Sequence, residues 1–202
     1  MLELIAVMLA LAYVVLAVKV LRSCWLAAIA SAALYCWIFA EASLYMESAL
    51  QLFYIGAAIY GWYYWGADQS AQPLHIRRWS LKQHSLALAF TLVGATLFGS
   101  ALAKFTDAAM PWLDSFTTVA ALVTTWMVTQ KILENWLYWI VIDAVSIYLY
   151  TSRGLDITAA LYGGYILLAV AGLLQWHRNF QTQAEGYEVN GEHAKLERTG
   201  TA

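Results

Sequence analysis

Seven apolar stretches, each close to the length of a membrane crossing, dominate this chain, at about 2–18, 24–41, 47–65, 84–103, 113–129, 134–151 and 156–176. About 20 helical residues cross the ~30 Å hydrocarbon core of a bilayer. In that medium every backbone N–H and C=O must be satisfied within the span, which leaves helices and closed barrels. Runs this long predict helices. Composition agrees: 62% of residues are hydrophobic and 12% charged, against about 25% charged in a soluble domain. The expected fold is therefore an all-α integral membrane protein with seven transmembrane helices.

Short polar breaks separate the spans, at Lys19 to Ser23, Glu41 to Glu47, Lys104 to Asp114, Lys131 to Glu134 and Arg153 to Asp156. A longer loop with Pro73, Arg77, Arg78 and Lys82 lies between the third and fourth. The N-terminal run opens with Met1, Leu2 and Glu3, without the basic leader of a secretory signal, and reads as a helix that stays. Residues 1–176 form one transmembrane domain, and 177–202 a polar, mobile tail. Cys24 and Cys36 suggest no disulfide framework. The net charge of −2 points to no partner, and nucleic acid is not expected.

Basic residues set the predicted orientation. Lys19, Arg22, Arg77, Arg78, Lys82, Lys131, Arg178, Lys195 and Arg198 fall on one side, and only Lys104 and Arg153 on the other, which accounts for all 11. The positive-inside rule puts the larger group in the cytoplasm. The N-terminus is then outside and the tail inside.

The two halves match. An ungapped shift of 111 residues pairs Trp25 with Trp136, Leu26 with Leu137, Ile29 with Ile140, Leu44 with Leu155 and Ala49 with Ala160. It also pairs Leu50 with Leu161, Tyr54 with Tyr165, Ala58 with Ala169, Gly61 with Gly172 and Trp65 with Trp176. Repeat one (about 1–66) and repeat two (about 113–176) are joined by a linker helix at about 84–103. An odd linker helix restores direction, so the repeats run parallel in a 3+1+3, SWEET-like plan. Two such bundles place a site between them near the midplane and alternate access by rocking. A transporter is the expectation.

The sixth span carries the most chemistry. Trp136, Trp139, Asp143, Ser146 and Tyr150 fall within an arc of roughly 80°. Asp143 is the only carboxylate in mid-span. An Asp at a helix centre costs roughly 2.5–3.5 kcal/mol and almost always faces a cavity or a partner. With the indoles it can form an aromatic cage that holds a flat, cationic ring. The alternative is a structural pairing of Asp143 with a Thr, Tyr or Lys. On the third span, Gln51 and Tyr54 share a face with Ala58, Trp62 and Trp65 and line the outer pathway. Trp62, Tyr63, Tyr64 and Trp65 together read as an interfacial belt. The fifth span offers Thr117, Thr118, Thr124, Thr125, Trp126 and Thr129, whose hydroxyls can bond back to their own helix. The seventh adds Tyr162, Tyr165 and Gln175. The binding set is Trp136, Trp139, Asp143, Ser146, Tyr150, Gln51, Tyr54, Thr125, Trp126 and Tyr162.

No phosphate-binding glycine loop or zinc-protease motif occurs, so neither an enzyme, a resident cofactor nor a metal site is expected. A channel lacks the ring of like charges that marks a filter. A membrane scaffold would leave Asp143 purely structural.

The run Glu-Asn-Trp-x-x-Trp-x-x-x-Asp at 134–143, with 44–51 and Tyr60-Gly61-Trp62, resembles the signature of nicotinamide riboside (Pnu-type) vitamin transporters. The likeness extends from about Trp25 to Trp176. It implies facilitated diffusion in the bacterial inner membrane, trapping by a cytoplasmic kinase, homotrimers, and substrate contacts at Trp136, Trp139 and position 143. Members that carry nicotinamide riboside typically have Asn where this chain has Asp143. A carboxylate accepts hydrogen bonds but does not donate them, which suits the amino group and positive charge of thiamine. The family's thiamine-transporting branch is therefore the first expectation, and nicotinamide riboside the alternative.

Overall fold

A computed structural model describes residues 2–41, 45–66, 75–107 and 109–199, which leaves Leu44 and Pro73 outside the described residues. Seven helices follow one another within them: α1 (Leu2–Val18), α2 (Cys24–Glu41), α3 (Tyr45–Gly66), α4 (Leu81–Phe105), α5 (Pro111–Thr129), α6 (Asn135–Thr151) and α7 (Asp156–Thr199). Three stretches, Cys24–Glu41, Leu81–Phe105 and Thr158–Gln183, are long and apolar enough to cross a membrane alone, and α1 is a shorter apolar helix.

Local chemistry sets the ends. Ser80 and Gln83 form a reciprocal capping box at the start of α4, satisfying two amides that a helix N-terminus leaves open. Pro111 opens α5, where its missing N–H costs nothing. Threonines of α5 turn inward on their own helix: Thr117 Oγ1 donates to Leu113 O and Thr124 Oγ1 to Ala120 O.

Beyond residue 176, where the seventh predicted span ends, α7 continues as helix to Thr199. Its Glu, Lys, Arg and Gln residues are good helix formers, and extending a formed helix adds one hydrogen bond per residue without a new nucleus. The near part of the extension is braced: Phe180 packs on the core, and the Gln183 side-chain Oε1 accepts from Ile76 N at 3.1 Å.

Six helices close a ring. α1 packs on α2, α2 on α3, α3 on α5, α5 on α6, α6 on α7, and α7 back on α1, while α4 lies outside the ring, packed mainly on α5 and touching α6 where His84 Nδ1 and Tyr138 Oη share a hydrogen bond at 2.9 Å. The outer face of α4 exposes Leu86, Phe90, Val93, Leu97 and Phe98, an apolar surface suited to lipid.

Tryptophans hold the ring at its basic end. Trp25 meets Trp65 edge-on at 5.3 Å and 84°, and Trp136 meets Trp176 at 5.5 Å and 87°. Trp65 and Trp176 face each other at 6.1 Å. Trp65 Nε1 donates to Thr129 O of α5 at 3.0 Å, and Trp176 Nε1 to Ala17 O of α1 at 2.9 Å. Trp65 is thus buried and is no part of an interfacial belt, because its N–H must reach a carbonyl that only the neighbouring helix supplies. Of that run, Tyr63 is 70% exposed and suits the lipid boundary.

The turns between α1 and α2 and between α5 and α6 coincide at an offset of 111 residues. Val20 N bonds to Ala17 O and Leu21 N to Leu16 O, as Lys131 N does to Val128 O and Ile132 N to Met127 O. Val20 and Lys131 both take positive φ, 57° and 53°, a region that costs a non-glycine residue roughly 1–2 kcal/mol. The segment 75–80 lies on the second turn, with Arg77 N bonded to Lys131 O and Leu133 N to Arg77 O.

Candidate functional site

Inside the ring, beyond the tryptophans, are two adjoining cavities of about 480 and 230 Å³ that share Ala10, Tyr13, Trp139, Tyr162 and Tyr165. The larger alone lies in the range of small-molecule sites, and the smaller extends it. The larger runs along α2 past Trp25, Ala28, Ser31, Ala32, Tyr35 and Phe39, with Gln51, Tyr54 and Ala58 of α3 and Thr125 of α5 opposite. The smaller lies against Trp136, Trp139 and Asp143 of α6, Ala169 of α7 and Val128 of α5.

The structure therefore gathers seven of the ten sequence-chosen residues on one cavity system: Gln51, Tyr54, Thr125, Trp136, Trp139, Asp143 and Tyr162. Trp136 gives it one edge, and its ring lies flat against Gly172, where an added Cβ would come within 2.6 Å of it.

Three residues are placed elsewhere. Trp126 is 47% exposed and stacks on Tyr60 at 5.2 Å. It follows Thr125, and one step along a helix turns a side chain by about 100°, which carries Trp126 from the cavity to the outer surface. Ser146 is buried and lines neither cavity. Tyr150 stacks on the Tyr162 ring at 5.2 Å and 23° and supports it rather than lining the space.

Asp143 is 5% exposed and lines the smaller cavity. Among the described residues no side chain forms an ion pair or hydrogen bond with its carboxylate. The structural pairing with a Thr, Tyr or Lys is thus not formed within them. The phenols of Tyr162 and Tyr165 line the same cavity and lie within electrostatic reach of the carboxylate. Neither Lys nor Arg lines either cavity among the described residues. A buried carboxylate without a partner calls for a cation or donors from a ligand, and the surrounding indole and phenol faces favour a flat positive ring.

Sequence reasoning missed Tyr13 and the whole α2 wall. A signal was present, since Trp25, Ala28 and Ala32 stand 111 positions before Trp136, Trp139 and Asp143. Small alanines carry no chemistry of their own, and only their position gives them meaning. No group of His, Cys, Asp and Glu among the described residues is placed to hold a metal.

The chain is 26% identical over 165 residues to the nicotinamide riboside transporter PnuC of Escherichia coli (strain K12), covering 69% of each chain. It is 26% identical over 129 residues to the riboflavin/roseoflavin transporter RibM of Streptomyces davaonensis, covering 60% of this chain and 59% of that one. The crystal structure of the vitamin B3 transporter PnuC superposes with a TM-score of 0.69 at 23% identity, over 90% of this chain and 82% of that chain, and so shares the fold. The family model described as nicotinamide mononucleotide transporter matches residues 1–178. This chain is a multi-pass membrane protein that belongs to the nicotinamide mononucleotide transporter family.

Proposed function

We propose that this protein carries nicotinamide riboside across the bacterial inner membrane by facilitated diffusion. The observation that carries this reading is the Asp143 carboxylate, without a side-chain partner among the described residues, in a cavity system with Trp139 and other aromatic rings and, among the described residues, no basic side chain. A pyridinium ring stacks on the indole and neutralises the carboxylate, and its carboxamide N–H donates to the same oxygens. A phosphorylated mononucleotide is disfavoured by the same charge. Two unit charges 4 Å apart interact by about 4 kcal/mol even at an effective dielectric of 20, and no Lys or Arg among the described residues lines the space to offset the repulsion. The named relatives that transport nicotinamide riboside and riboflavin support a B-vitamin substrate.

Thiamine, the first expectation from the sequence, finds no support among these relatives and is set aside. Its case rested on Asp143 alone, and a carboxylate serves a cationic riboside equally well.

Transport proceeds in this reading by rocking of two parallel three-helix repeats, α1–α3 and α5–α7, with α4 as linker. The matched turns at Val20 and Lys131, the matched tryptophan pairs and the equivalent α3–α5 and α7–α1 contacts support that arrangement. The basic end faces the cytoplasm and the N-terminus lies outside. A cytoplasmic kinase that phosphorylates the riboside would trap it and keep the gradient inward.

The test is equilibrium binding to detergent-purified protein. Nicotinamide riboside should bind, and Asp143→Ala should weaken it by about tenfold or more, a loss of ~1.4 kcal/mol. Tighter binding of thiamine or riboflavin to the wild type would overturn the assignment.

A further inference from the structure

The cavity walls are built from equivalent positions of the two halves, but their chemistry differs. At an offset of 111 residues, Trp25 corresponds to Trp136, Gln51 to Tyr162, Tyr54 to Tyr165 and Ala58 to Ala169, and all eight line the cavities. Along α2, however, Ala28 stands where α6 has Trp139, and Ala32 where α6 has Asp143. The spacing from Trp25 to Ala28, Ala32 and Tyr35 keeps these side chains on one helix face. Two side chains that fill space on one side are thus replaced by two methyl groups on the other. The volumes follow, with about 480 Å³ against α2 and about 230 Å³ against α6.

We infer that Ala28 and Ala32 form the subsite for the sugar and set the size of substrate the transporter accepts. The inference rests on the riboside reading above and extends it. With the ring held by Trp139 and Asp143, the ring substituent points across the ring of helices into the space that the two alanines leave. That space has the polar edges a sugar needs. Gln51 lines it, and its amide makes no hydrogen bond to another described residue. Ser31 lines it too, with its hydroxyl proton given to Ala6 O at 2.9 Å and an oxygen lone pair left to accept. Larger side chains at 28 or 32 would occupy the sugar's place and leave the ring's place intact.

The experiment compares two cationic probes that differ in the sugar, nicotinamide riboside and 1-methylnicotinamide. Binding is measured on purified wild type, Ala32→Val, Ala32→Leu, Ala32→Phe and Ala28→Leu, with Ala33→Leu on the exposed face of α2 as control and thermal melting as the check on folding. Riboside affinity should fall stepwise with side-chain volume, by about tenfold or more at Ala32→Phe, while 1-methylnicotinamide stays within about twofold and the control matches wild type. Ala32→Val adds only two methyl groups, so it gives the same sign in a folded protein if Ala32→Phe does not fold. An equal loss for both probes, or none for the riboside, would overturn the inference. If wild type binds neither probe, the riboside reading fails first, and the sugar subsite falls with it.

Discussion

The Trp136 indole lies so close to the Gly172 backbone that a Cβ at position 172 would come within 2.6 Å of its ring carbons, and Trp25 stands in the same relation to Gly61, at 2.4 Å. Each pair lets one helix lie directly on the flat ring of its neighbour, with no intervening side chain. Alanine would gain up to about 1 kcal/mol in helix propensity. Overpacking costs about 1–3 kcal/mol, and no flexible chain end is available to move aside, so overpacking wins. Gly61→Ala and Gly172→Ala should each lower the melting temperature in detergent. Gly56→Ala, with no described residue within 4 Å of the added methyl, should leave it unchanged or raise it.

Trp65 and Trp176 tie the ring shut by donating to Thr129 O and Ala17 O. Phenylalanine keeps most of the ring and removes the N–H. Each Trp→Phe change should cost about 0.5–1.5 kcal/mol for the lost hydrogen bond, with a further cost for lost ring volume. The two bonds join different helix pairs, yet the rings touch at 6.1 Å, so the double variant should depart from additivity. Melting of both single variants and the double variant checks this, and strict additivity would show that the two ties act separately.

Asp143 should select for charge more than for shape. Wild type should prefer the cationic riboside to its neutral dihydro form by about tenfold. Asp143→Asn keeps size and acceptor but removes the charge, and should abolish most of that preference. Competition binding with the two redox forms measures it directly. An unchanged ratio in the variant would show that Asp143 does not sense the ring's charge.

Glu134 anchors the segment before α4. Its carboxylate accepts from Arg78 Nε at 2.8 Å and from Trp79 N at 3.2 Å. Arg78 is 59% exposed, so the ion pair itself is worth under about 1 kcal/mol. Glu134→Ala should therefore change the melting temperature little. It should still loosen the segment, and limited trypsin digestion should cleave faster after Arg77 and Arg78 than in wild type.

Hydropathy placed all seven helices, within a few residues of their ends except for the C-terminal end of α7, which runs on to Thr199, and the 111-residue correspondence pairs the tryptophans and glycines that pack alike. Both are local or one-dimensional signals, carried by composition and spacing. The carboxylate of Asp143 was legible for a related reason, since a lone charge in an apolar span has few places to go. The tertiary structure alone decided which faces turn inward. In a membrane protein lipid and protein are both apolar neighbours, so an apolar or aromatic residue looks the same whichever it meets. Trp126 and Thr125 were therefore indistinguishable as wall residues until packing turned one to the surface, and Trp65 read as a belt residue until its N–H found Thr129 O. The α2 wall was hidden for the opposite reason: Ala28 and Ala32 matter through the space they leave, and space exists only once the helices have closed around it.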